Sequence, residues 1–108
     1  MSIMVVYSAS GVDLDAYAPY ETELQKTAVP PEALLHQVAR DGDDFLVVDV
    51  WTSREAYEAW TASYIKPGLA RHGLPYAEPR VYDLLELATH AGVDAYKVLS
   101  TARQLTPA

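Results

Sequence analysis

This 108-residue chain contains no cysteine, so its acid–base and ligand chemistry falls to three histidines and fifteen carboxylates. One His and one Asp flank the turn Asp41-Gly42-Asp43-Asp44 in a suggestive way. If the segments on either side pair as a hairpin, Leu34, His36, Val38 and Arg40 oppose Trp51, Asp49, Val47 and Phe45 on one face. Leu35, Gln37 and Ala39 then oppose Val50, Val48 and Leu46 on the other. This register puts His36 directly across from Asp49, with Cβ atoms about 4.5–5.5 Å apart. A carboxylate that holds one imidazole nitrogen orients the other as a general base. The same two residues serve equally well as a buried pair that merely satisfies itself. No serine stands nearby to complete a nucleophilic triad, so acyl-enzyme hydrolysis is not supported.

Other chemistries are poorly provided for. His36, His72 and His90 stand singly, without the H-x-x-x-H or H-x-E spacing of a metal site, and no further ligand can be named. No metal and no cofactor are therefore expected. Nor does a G-x-G-x-x-G or other phosphate-cradling glycine loop occur, which argues against nucleotide cofactors. Eight of the eleven aromatic residues are tyrosines, each with a hydroxyl that wants a partner when buried. Tyr57, Trp60 and Tyr64 have the spacing of a helix's core face, whereas Trp51 shares a strand face with His36 and Asp49. Arg71 and His72 fall at a helix end, where cations complement the dipole; Arg71 is equally placed to meet an anionic or enolate ligand.

The elements that must position these residues follow from punctuation. Residues 2–8 read as a strand closed by Ser10-Gly11. Asp13 caps a helix running to about Thr27, with Tyr17, Tyr20 and Leu24 on one side. Pro19 should kink this helix or mark its true start. Residues 33–40 and Phe45–Trp51 are the hairpin strands. Thr52 and Glu55 form a capping-box pattern for a second helix, which kinks near Lys66-Pro67-Gly68 and ends at Gly73. A fourth strand spans Arg80–Leu87, and a short helix from about Val93 to Gln104, or a tail, comes after it. The order β-α-β-β-α-β predicts an α+β, ferredoxin-like fold over residues 1–87: an antiparallel four-stranded sheet with both helices on one face. Residues 88–108 form an extension.

Two helices cover one sheet face, so the other is solvated or covered by a partner. The face with Trp51, Phe45 and Val47 is too apolar for solvent, which assigns it to a second subunit and predicts a homodimer. The charge balance, eight basic against fifteen acidic residues for a net −7, opposes nucleic acid and anionic membrane surfaces as partners. No signal peptide or membrane span is predicted, and a cytoplasmic location is expected.

The run Val50-Trp51-Thr52-Ser53-Arg54-Glu55-Ala56-Tyr57, set in a ferredoxin-like chain of this length, resembles the dimeric α/β-barrel superfamily, and within it the antibiotic biosynthesis monooxygenase group. The resemblance covers roughly residues 2–87. It implies that two sheets meet to form a barrel, with a ligand cavity in each subunit between sheet and helices. It also implies oxidation of aromatic polyketides by O₂ without flavin, haem or metal. Trp51, Tyr57 and Arg71 match positions that the family uses for substrate, and Val47 stands where its pattern has an Asn. The haem-degrading branch expects a His where this chain has Thr61. His36 and Asp49 are additions of this chain, as suited to cyclisation, isomerisation or dehydration as to oxygenation.

Two functions are thus expected in competition. One is a small cofactor-independent enzyme that abstracts a proton from an aromatic or polyketide-like molecule. In it His36 and Asp49 are catalytic, and Trp51, Tyr57, Arg71, Val47 and Tyr64 surround the substrate. The other is a dimeric ligand-binding or accessory protein without catalysis.

Overall fold

A computed structural model describes residues 1–27 and 29–95. Strand β1 (Ile3–Ser10) leads through Gly11 to helix α1 (Leu14–Gln25), whose N-cap Asp13 accepts a hydrogen bond from the Asp15 amide at 2.9 Å. The helix continues through the exposed Pro19, so its start is the one set by Asp13. Strands β2 (Ala33–Asp41) and β3 (Asp44–Trp51) form the hairpin, with Gly42 at φ 59° in its two-residue turn. That left-handed backbone suits glycine because no Cβ obstructs it. Helix α2 (Arg54–Trp60) passes through one turn of π-helix, Thr61–Ile65, into helix α3 (Lys66–Arg71). Strand β4 is confined to Arg80–Asp83, four residues shorter at its end than the sequence pattern predicts. Residues 91–95 form a 3₁₀ turn, and most of the anticipated Val93–Gln104 helix lies outside the described residues.

The sheet order β2-β3-β1-β4, antiparallel throughout, is the ferredoxin-like arrangement. Register falls as anticipated from His36↔Asp49 through Arg40↔Phe45. Leu35 still meets Val50 as anticipated, but at the strand's start the register slips: Ala33, not Leu34, meets Trp51. The bulge leaves Leu34 46% exposed, while the smaller Ala33 packs against the Trp51 cluster.

The N-cap of α2 also differs. Thr52 is still held in the ladder, its amide donating to the Glu32 carbonyl at 2.9 Å, so the cap passes to Ser53. Ser53 Oγ accepts from the Ala56 amide at 3.0 Å. The anticipated kink takes the form of the π turn. Pro67 has no amide hydrogen with which to continue the ladder, and the register widens before it: the Lys66 amide reaches back to the Thr61 carbonyl. At the far end the Leu74 amide donates to the Leu69 carbonyl at 2.9 Å around Gly73 at φ 67°, a Schellman closure.

The two faces of the sheet are the reverse of the sequence-based assignment. Trp51 and Phe45 are buried by the chain's own helices: Phe45 packs with Tyr17 and Tyr20 of α1, Trp51 with Tyr57 and Trp60 of α2. The apolar residues that argued for a second subunit are therefore the intramolecular core, and that argument for a homodimer falls. Tyr, Trp and Phe suit the space beneath two helices that cross the sheet at a distance, where small aliphatic residues would leave voids. The opposite face carries Met4, Val6, Leu46, Val48 and Tyr82, and residues 87–93 lie beside Leu35 and Gln37 at its β2 edge.

Candidate functional site

Between sheet and helices lies a cavity of about 120 Å³. His36 and Asp49 form part of its floor. His36 Nδ1 lies 2.7 Å from Asp49 Oδ1, so Nδ1 carries the proton and donates it to the carboxylate. Nε2 faces the other way, 3.5 Å from Glu21 Oε1. Both partners of the His–Asp pair are about one-fifth exposed (23% and 22%), whereas the Glu21 side chain is only 2% exposed. Tyr17 donates its hydroxyl hydrogen to Glu21 Oε1. The result is a continuous polar chain, Asp49–His36–Glu21–Tyr17, along one side of an otherwise aromatic chamber.

Glu21 is the residue that sequence reasoning missed. The signal was present: Glu21 lies four residues after Tyr17, between Tyr20 and Leu24, on the buried face of α1. A carboxylate in the middle of an apolar stripe is costly to bury unless it is paired, and pairing it with a histidine is a functional cue.

Trp51, Tyr57 and Val47 line the same cavity as His36 and Asp49. The Trp51 ring meets Tyr57 edge-on at 5.7 Å. Burial pushes the Tyr57 hydroxyl up to about 12, the nearby Thr61 hydroxyl offsetting only part of the effect, so it stays a neutral donor across the physiological range. Burial likewise raises Tyr7, whose hydroxyl donates to the Pro75 carbonyl at 2.6 Å, and Tyr76, where Glu78 adds to the effect.

Arg71 and Tyr64 do not line the cavity. Arg71 is half exposed and donates from Nε to Glu23 Oε1 at 3.0 Å, holding the Glu23 carboxyl below the usual carboxylate range. Tyr64 is 40% exposed and packs on Trp60 at 4.5 Å. The π turn accounts for Tyr64: its additional residue breaks the α-helical spacing counted from Tyr57, so Ile65 rather than Tyr64 faces the cavity. Thr61, four residues after Tyr57 with its amide still bonded to the Tyr57 carbonyl, shares the Tyr57 face and lines the cavity as well. Thr61 is 5% exposed, and its hydroxyl is the one that acts on Tyr57. No group of three or more His, Asp or Glu side chains among the described residues is arranged to hold a metal ion. Likewise, no helix among them is long and apolar enough to cross a membrane.

Neither a family model nor a curated protein matches the chain. Solved structures do. SnoaB, a cofactor-independent oxygenase from Streptomyces nogalater, superposes with a TM-score of 0.58 at 13% identity, over 82% of this chain and 98% of that one. A Chloroflexus aurantiacus protein named for antibiotic biosynthesis monooxygenases gives 0.56 at 16% identity, over 84% and 98%. A Deinococcus radiodurans protein of the same designation gives 0.55 at 16% identity, over 85% and 100%. The chain has the ferredoxin-like α+β fold of antibiotic biosynthesis monooxygenase-like proteins.

Proposed function

We propose that this protein is a small enzyme that abstracts a proton from an aromatic or polyketide-like molecule without a bound cofactor. The observation that carries the reading is the 2.7 Å His36–Asp49 pair on the floor of an aromatic-walled cavity. Asp49 fixes the imidazole tautomer, and Nε2 accepts the proton of an acidic phenol or of a carbon next to a carbonyl. The imidazolium so formed stays balanced by Asp49 and Glu21. Tyr57 and Thr61 offer neutral hydroxyls to the negative charge left on the substrate, a task for which Arg71, tied to Glu23, is not positioned. The resulting carbanion either meets O₂, as the likeness to a cofactor-independent oxygenase suggests, or attacks or is reprotonated within the substrate.

A second copy of the chain completes this reading, seated on the open sheet face rather than on the aromatic one. Leu46 and Tyr82 are 36% and 43% exposed there, and Leu85 just beyond β4 is 93% exposed.

The test separates proton removal from the fate of the carbanion. Phenolic ketones are incubated with the protein in D₂O, with hydrogen–deuterium exchange measured by NMR and oxygen uptake by electrode. Exchange should fall about 10²–10⁴-fold in His36→Ala and substantially in Asp49→Asn, with folding retained by circular dichroism. Exchange by both variants at the wild-type rate removes the mechanism and leaves a binding protein.

A further inference from the structure

The lining of the cavity has a charge pattern that proton abstraction alone does not require. Glu21 and Asp49 bring two carboxyl groups, and His36 between them supplies at most one positive charge. Among the described residues no Lys or Arg lines the cavity. The two cations of α3 are engaged elsewhere: Arg71 with Glu23, and Lys66 with its Nζ 4.8 Å from the centre of the Tyr76 ring. A carboxylate or phosphate entering this space would lose its hydration and meet like charge. A cation would meet carboxyl groups and the electron-rich faces of tyrosine and tryptophan rings, which attract ammonium groups most strongly where water is excluded.

Two further observations shape the ligand. Thr61, 95% buried at the π turn, lines the cavity beside the Tyr57 hydroxyl, so the two supply neutral polar groups that a ligand hydroxyl can meet. The volume of about 120 Å³ is that of a site for one aromatic ring rather than a fused polycycle.

We propose that the cavity binds a one-ring aromatic amine in its protonated form, with the ammonium group toward Glu21 and Asp49 and the ring among the aromatic walls. This rests on the cavity being the substrate site and narrows the substrate class. Three probes of matched size test it on the full chain near neutral pH: tyramine, 4-ethylphenol and 4-hydroxyphenylacetate. Binding is monitored by the fluorescence of Trp51 and Trp60, both of which line the cavity, and by amide NMR shifts.

Tyramine should bind at least about tenfold more tightly than 4-ethylphenol, and the anion should not saturate the site. Glu21→Gln and Asp49→Asn should each weaken tyramine about tenfold while leaving 4-ethylphenol within about twofold. If Glu21→Gln fails to fold, Asp49→Asn carries the comparison. An anion that binds as tightly as tyramine, or tyramine indifferent to the variants, overturns the charge selectivity and leaves the cavity as a ligand site. Binding of none of the three while deuterium exchange persists overturns the amine proposal alone. Binding of none without exchange overturns the catalytic reading as well.

Discussion

His36 illustrates how much a neighbour decides. An isolated imidazole is an acid or a base according to pH; here Asp49 fixes the proton on Nδ1 and Glu21 stands over Nε2. Tyr57 makes the same point for a phenol. Its folded value of about 12 lies above the ordinary 10 because burial disfavours tyrosinate. The stability due to its neutral form is therefore complete below pH 10 and is lost as pH rises from there through about 12, where the unfolded chain ionises first. Ultraviolet titration of the folded protein should show one tyrosine ionising near pH 12, absent in Tyr57→Phe. A difference between the wild-type and Tyr57→Phe curves centred near pH 10 instead contradicts the burial of this hydroxyl.

Among the elements, α2 and its continuation decide which side chains reach the cavity. The helix begins at Ser53 because Thr52 is still committed to the sheet through Glu32. Ser53→Ala should therefore lower stability by about 1 kcal/mol in urea unfolding, and Thr52→Ala by clearly less. Equal losses would contradict the cap. Farther along, Gly68 lets α3 approach α1: a Cβ there would lie 3.0 Å from Tyr20 Cε1. Tyr20 is a wall of the cavity, so Gly68→Ala should displace that ring and weaken probe binding, an effect visible as NMR shifts at Tyr20 and its neighbour in the core, Tyr17.

For the molecule as a whole, the question is what covers the open face of the sheet. Residues 87–93 reach its β2 edge, yet Leu46, Tyr82 and Leu85 remain exposed. Light scattering should give twice the chain mass, and Leu46→Glu should shift the protein toward the monomer at micromolar concentration. A wild-type monomer at high concentration rules out the second copy.

Local chemistry determined a good part of this protein. Asp13 before an amphipathic run, Gly42-Asp43 between alternating strands, and the register that joins His36 to Asp49 are short-range facts, governed by backbone conformation and period-two alternation. From them came the element order, the ferredoxin-like fold and the His–Asp pair. Tertiary structure decided the rest. Alternation separates two faces of a sheet but does not say which one the helices cover, and the aromatic face belongs to the core because only large rings fill the gap beneath them. Counting residues along a helix assumes a constant pitch, and the π turn before Pro67 broke that count, removing Tyr64 from the cavity and presenting Ile65. An ion pair with Glu23 of α1 holds Arg71 outside it. Glu21 came to His36 from a different element, across fifteen residues of sequence, through packing that no local pattern encodes.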